Sequence, residues 1–111
     1  MPPAEALAFR DGNVPIDIDL RVYRLSAIQK AAYRLARQCT AVLGEIRGHS
    51  LSVVLTFGPE TREREALDVA RLFFRELLDQ ELREKVREET APLRALLMAL
   101  AFSRTGLAPR E

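Results

Sequence analysis

The sequence predicts an α+β fold: a small three-stranded antiparallel sheet with helices packed on one face, in the order β-α-β-β-α-α. Three observations carry this. Ile16, Ile18, Leu20 and Val22 alternate with Asp17, Asp19, Arg21 and Tyr23, the period of two of a strand with one buried and one wet face. Two β-rich runs flank Arg47-Gly48-His49-Ser50, where glycine supplies a permissive hairpin turn. Finally Ala66, Leu67, Ala70, Phe73, Phe74, Leu77 and Leu78 form a broad apolar stripe at helical spacing. A layer of helices on a sheet buries all of these faces at once.

Taken in order, residues 1–13 mix Pro, Ala, Gly and Asn without a period, and Asp11-Gly12-Asn13 is turn chemistry, so this stretch is expected to be a flexible arm. A single α+β domain is expected over residues 14–105, with Pro15 at an edge or first-residue position of the opening strand. Ser26 and Gln29 have the form of a capping box, and Ile28, Ala31, Ala32 and Leu35 follow, which predicts a helix over residues 27–38. Strands are predicted over 40–46 and 51–57, with Leu51, Val53, Leu55 and Phe57 facing the same core as Ile16, Ile18 and Leu20. Gly58-Pro59 ends the sheet, and Thr61 is the expected cap of the next helix. Its stripe meets a polar dent at Asp79-Gln80 and resumes with Leu82, Val86, Leu93, Leu96, Leu97 and Leu100. Pro92 is expected to kink or restart this last helix, with Thr90 as the cap of the restarted piece. Gly106 and Pro109 are stop signals, which leaves 106–111 as a C-terminal tail.

With 111 residues, 48% of them apolar, the chain has enough material for one core. Lys and Arg total 17 against 16 acidic residues, and a net charge of +1 provides no global field to draw nucleic acid or an anionic membrane. Its one cysteine, Cys39, cannot form an internal disulfide, which fits a cytoplasmic location. The apolar clusters are too short to span a bilayer, and the N-terminal residues lack the pattern of a signal peptide.

The candidate chemistry is sparse. His49 is the sole histidine and falls in a predicted turn; an enzyme would have to work through it with Asp17 or Asp19, which share one face of the first strand. Strand alternation alone also explains the two aspartates. Cys39 follows a helix end, where no helix N-terminus lowers its pKa, and is expected to be a structural thiol. No phosphate-binding glycine loop, paired-cysteine motif or nucleophile elbow occurs, so no catalytic residue, metal ligand or cofactor is assigned. Lys30, Arg34 and Arg37 fall at i, i+4 and i+7 with Tyr33 beside them, which reads either as a solvated face or as a contact for an acidic partner or phosphate. Glu81, Arg83, Glu84, Lys85, Arg87, Glu88 and Glu89 read as a solvated helix surface, with Glu81 and Lys85 paired. A small sheet can also accept an extended peptide at an edge, a mode that needs no reactive side chain.

Val14-Pro15-Ile16-Asp17, Ile28-Gln29-Lys30-Ala31-Ala32-Tyr33 and the joint from Glu76 to Glu84 together resemble HxsD, the small accessory protein of His-Xaa-Ser peptide-modification systems. That family's signature reads Leu-Leu-Asn-Asp-Tyr-x-Leu-Arg-Glu. This chain keeps Leu77-Leu78 and Leu82-Arg83-Glu84, with Asp79-Gln80-Glu81 between them. Ala101-Phe102-Ser103-Arg104-Thr105 also looks family-like. The resemblance implies a non-catalytic accessory or recognition protein. Its partners would be a substrate carrying His-x-Ser repeats and two radical S-adenosylmethionine (radical SAM) maturases. With one histidine the chain is not itself the repeat substrate, and with one cysteine it lacks the three that hold a radical-enzyme cluster. The expected partner-binding positions are Lys30, Arg34, Arg37, Asp79, Gln80 and Arg83. The alternative is a small nucleic-acid-binding or regulatory domain that uses the basic face of the first helix. A homodimer through the last two helices is left open.

Overall fold

A computed structural model describes residues 7–105 of the chain. It contains β1 (Asn13–Asp19), α1 (Leu25–Arg34), β2 (Thr40–Arg47), β3 (Ser50–Thr56) and α2 (Glu63–Thr105). The strands form one antiparallel sheet in the order β1-β3-β2. The expected α+β class and three-stranded sheet are therefore present, but the element order is β-α-β-β-α, because the last two predicted helices are one.

β1 follows its alternation, burying Val14, Ile16 and Ile18, which pair across to Leu55, Val53 and Leu51 of β3. It stops at Asp19, before the alternation in the sequence runs out. The Asp19 carboxylate accepts the Arg21 N–H at 2.8 Å, and its carbonyl accepts the N–H groups of Val22 and Tyr23, both at 3.0 Å. An aspartate that bonds backbone two residues on closes a turn, and Val22 is left exposed. β2 and β3 are joined through Gly48 and His49; Gly48 has a φ of +61°, the positive value a type II′ turn requires at its first central position. The β2–β3 pairing shifts between Leu43 and Ile46. A side chain at Gly44 would place its Cβ 3.3 Å from the Ser52 carbonyl oxygen, so the irregular stretch takes a residue without one.

Within the stretch expected to be an arm, Leu7 joins the core and Phe9 meets Phe57 edge-on, with ring centroids 6.1 Å apart. Asp11 and Gly12 both have positive φ, and Arg10 and Asn13 exchange two backbone hydrogen bonds of 2.9 Å around them. Residues 1–6 of the expected arm, and the tail at 106–111, lie outside the described residues.

α1 starts at Leu25, two residues before its expected start, and ends at Arg34 rather than Gln38. The Ser26–Gln29 capping box does not form the helix start. The N-cap is Arg24, which is extended and makes no side-chain cap of its own; its N–H instead donates to Oε1 of Glu81 at 2.9 Å. The Arg24 guanidinium grips the same carboxylate, with Nη2 3.1 Å from Oε2. Glu81 is 5% exposed, so it belongs to the buried interior and not to the solvated run expected for it. A carboxylate at the positive end of a helix is favoured by the helix dipole as well as by the hydrogen bonds.

Ala66, Ala70, Phe73, Phe74 and Leu77 of α2 meet Ala27, Ile28, Ala31 and Leu35 and the inner face of the sheet in one apolar core. The chain divides into two compact units, Met1–Glu81 and Leu82–Glu111. In the second unit α2 runs through Pro92, which removes one N–H from the helical ladder. Glu88, Glu89, Ala91, Leu93, Arg94 and Ala95 around it are mostly strong helix formers. Thr90 caps nothing: its hydroxyl donates back to the Val86 carbonyl at 2.8 Å, and Arg94 Nη2 donates to the Arg87 carbonyl at 3.2 Å.

Two outcomes are expected. Glu81→Ala takes away the buried carboxylate that receives the Arg24 guanidinium and the N-terminus of α1, and should cost about 2–3 kcal/mol in urea unfolding, a value reduced for the part of Arg24 that water reaches. Glu81→Gln keeps a neutral acceptor and should lose less; an unchanged midpoint in both variants would refute the assignment. Hydrogen bonds from the Arg21 side chain and backbone, then its charge, hold the Asp19 carboxyl at about 2, below the ordinary 3.8. With its folded value depressed, Asp19 adds stability that is complete above pH 3.8 and lost as the pH falls to about 2. Carboxyl NMR titration should show the low midpoint, and Asp19→Asn should remove that part of the acid dependence.

Candidate functional site

α2 carries Glu76 and Gln80 one turn apart, and Gln80 Nε2 donates to Glu76 Oε1 at 3.0 Å. Arg34, the last residue of α1, reaches the same oxygen with Nε at 2.6 Å. Beside this junction lies a hollow of about 340 Å³ lined by Ser26, Gln29, Lys30, Tyr33, Arg34 and Gln80. Tyr33 stands at its rim, 83% exposed. A guanidinium fixed by a neighbouring carboxylate, a lysine, amide groups and an uncovered phenol can hold a carbonyl- or carboxylate-bearing chain, and the hollow is open enough to receive one.

Three of the six expected binding residues therefore come together: Lys30, Arg34 and Gln80. The other three do not line the hollow. Arg37 lies in the turn past the end of α1, so the i, i+4, i+7 stripe is broken where the helix stops. Asp79 and Arg83 occupy exposed positions of α2. Sequence reasoning missed Arg24, Glu76 and Glu81 as partners. The signal was there for Gln80 and Glu81, which continue the spacing of Ala70, Phe73, Phe74 and Leu77 and so turn inward with them. The mixed charge run that follows concealed it.

The sheet face away from the helices is open, with Pro15, Asp17 and Val42 exposed on it. Asp17, Glu45, Arg47, Ser50 and Ser52 line a hollow of about 420 Å³, and an adjoining one of about 300 Å³ brings Asp17, Asp19, Arg21, Arg47, His49 and Ser50 together. His49 is thus near both aspartates, as the enzymatic alternative requires. It is also exposed at the hairpin turn, and Asp19 is bound by Arg21 through three hydrogen bonds, which makes its carboxylate a weak base. Cys39 is buried, and burial pushes its thiol up, away from the reactive thiolate. Among the described residues no three His, Cys, Asp or Glu side chains group to hold a metal ion, and no helix is long and apolar enough to cross a membrane. At the sheet edges, β1 carries Pro15, which has no N–H to offer, and β2 is interrupted by the shift between Leu43 and Ile46, so strand addition has only short uninterrupted stretches to use.

Comparison with known proteins places the chain by a family model. Neither a curated protein nor a solved structure matches the chain. The family model described as His-Xaa-Ser system protein HxsD matches residues 18–108, a span that takes in α1, the hairpin and the Leu77 to Glu84 joint with its buried Gln80 and Glu81. The chain belongs to the HxsD family, accessory proteins of the His-Xaa-Ser system.

Proposed function

We propose that this chain is a non-catalytic accessory protein that binds the precursor peptide of its system, the radical SAM maturases, or both, and that a partner docks at the hollow between α1 and α2. The observation that carries this reading is Tyr33, held almost fully uncovered beside Lys30, Arg34 and Gln80. Tyrosine and arginine are the side chains that most often dominate protein interfaces, and a tyrosine immobilises few torsions when it binds. Glu76 fixes Arg34 before a partner arrives, which lowers the ordering cost of association. The basic stripe of the nucleic-acid alternative is weakened by the same facts, since Arg34 is paired and Arg37 lies off the helix. The protein-binding reading is therefore favoured.

The test is titration of the full chain against the co-encoded maturases and the precursor peptide. Tyr33→Ala combined with Lys30→Glu should weaken the association about tenfold or more while leaving circular dichroism unchanged. Absence of association between the unaltered chain and all of these partners would sink the proposal. Binding to duplex or single-stranded nucleic acid that falls steeply with salt would favour the alternative instead.

A further inference from the structure

Gln80 is the buried member of the hollow's lining, 8% exposed, while the residues around it stand further out in water. Its amide is held in one orientation. A carboxylate accepts hydrogen bonds and donates none, so Glu76 Oε1, 3.0 Å away, takes the Nε2 side of the amide and Gln80 Oε1 is turned the other way. That oxygen accepts no hydrogen bond from the described residues. Since no side-chain nitrogen or oxygen among them is both fully buried and unbonded, Gln80 Oε1 reaches solvent, and the hollow is the surface that Gln80 lines. Ser26 and Gln29, on the same hollow, likewise make no side-chain hydrogen bond with the described residues. An acceptor recessed and aimed in advance calls for a ligand that brings an N–H or O–H.

Resting on the docking role proposed above, we infer that the hollow selects a neutral segment of polypeptide and grips it by the main chain, with a peptide N–H on Gln80 Oε1 and the neighbouring carbonyl on the Ser26 hydroxyl or the Gln29 amide. Charge and hydrogen count separate the ligand classes. A lysine or arginine side chain has the N–H, but Lys30 and Arg34 on the same hollow oppose a third cation. A carboxylate has no hydrogen for Gln80 and sets its own oxygens against that oxygen. It also finds Arg34 already answered by Glu76, and Lys30 already engaged. A peptide group carries donor and acceptor side by side with no net charge, so it satisfies Gln80 without offending either cation. Tyr33, uncovered at the rim, offers its ring to the side chain that flanks the gripped peptide group.

Three small probes that share a phenyl ring are titrated against the full chain and followed by NMR of the backbone and side-chain amides: N-acetylphenylalanine N-methylamide, the same compound with both amide nitrogens methylated so that no N–H remains, and 3-phenylpropionate. The first should shift the Gln80 side-chain amide together with the Ser26 and Gln29 signals, and bind about three- to tenfold tighter than the other two, the worth of one hydrogen bond to a recessed acceptor. Gln80→Met keeps the length of the side chain and drops its oxygen, and should bring the first probe down to the level of the second. Glu76→Gln supplies an amide that donates as well as accepts, which frees the Gln80 amide to turn over; the preference should shrink and 3-phenylpropionate should gain. Both variants are read on protein whose amide dispersion matches that of the unaltered chain. Equal binding of the first two probes, tighter binding of 3-phenylpropionate, or no shift at the hollow would overturn the inference. If Tyr33→Ala with Lys30→Glu still releases a maturase or the precursor peptide in that case, the docking site stands and only the donor selection falls. A preference for the first probe with no partner bound at the hollow upholds the donor selection and removes the docking role.

Discussion

The Glu81 carboxylate is the constraint on which the first unit depends. It receives the backbone N–H of Arg24 and the guanidinium of the same residue, so one buried acid fixes both where α1 begins and how α2 lies against it. Fifty-seven residues separate the two partners. A contact that distant closes a large loop, and its entropy has to be recovered from the apolar surface packed around it. Leu77 and Phe73, fully buried one and two turns earlier on α2, supply that surface.

Much of the sheet was legible in the residues, because strand alternation is a local property. Val14, Ile16, Ile18, Leu51, Val53 and Leu55 point inward as their spacing says they should. The limits of elements were less legible, since they depend on bonds the pattern does not contain. Asp19 folds back on Arg21 and ends β1 early, and Glu81 moves the start of α1 to Leu25. Pro92 was over-read as a break, because a single lost donor is tolerated where the neighbours favour helix. The site divided in the same way: helical spacing brought Lys30 and Arg34 together, but Arg37 could be excluded only by knowing that α1 stops short of it.

Three of the side chains with chemical potential are engaged structurally. Asp19 is occupied by Arg21, Cys39 is packed in the core, and Glu76 is shared between Arg34 and Gln80. What is presented outward is shape and charge: a phenol beside two cations in the first unit, and an exposed apolar helix surface in the second. Such surfaces suit the partner binding proposed above for this member of the HxsD family.

Pro15 and the irregular pairing around Gly44 have a consequence for the molecule in a crowded cell. A three-stranded sheet has two rims, and each is an invitation to polymerise with any neighbouring strand. Here one rim lacks a donor and the other is bent out of line, so neither templates a growing fibril well. A sheet left uncovered on one side can in this way remain dispersed.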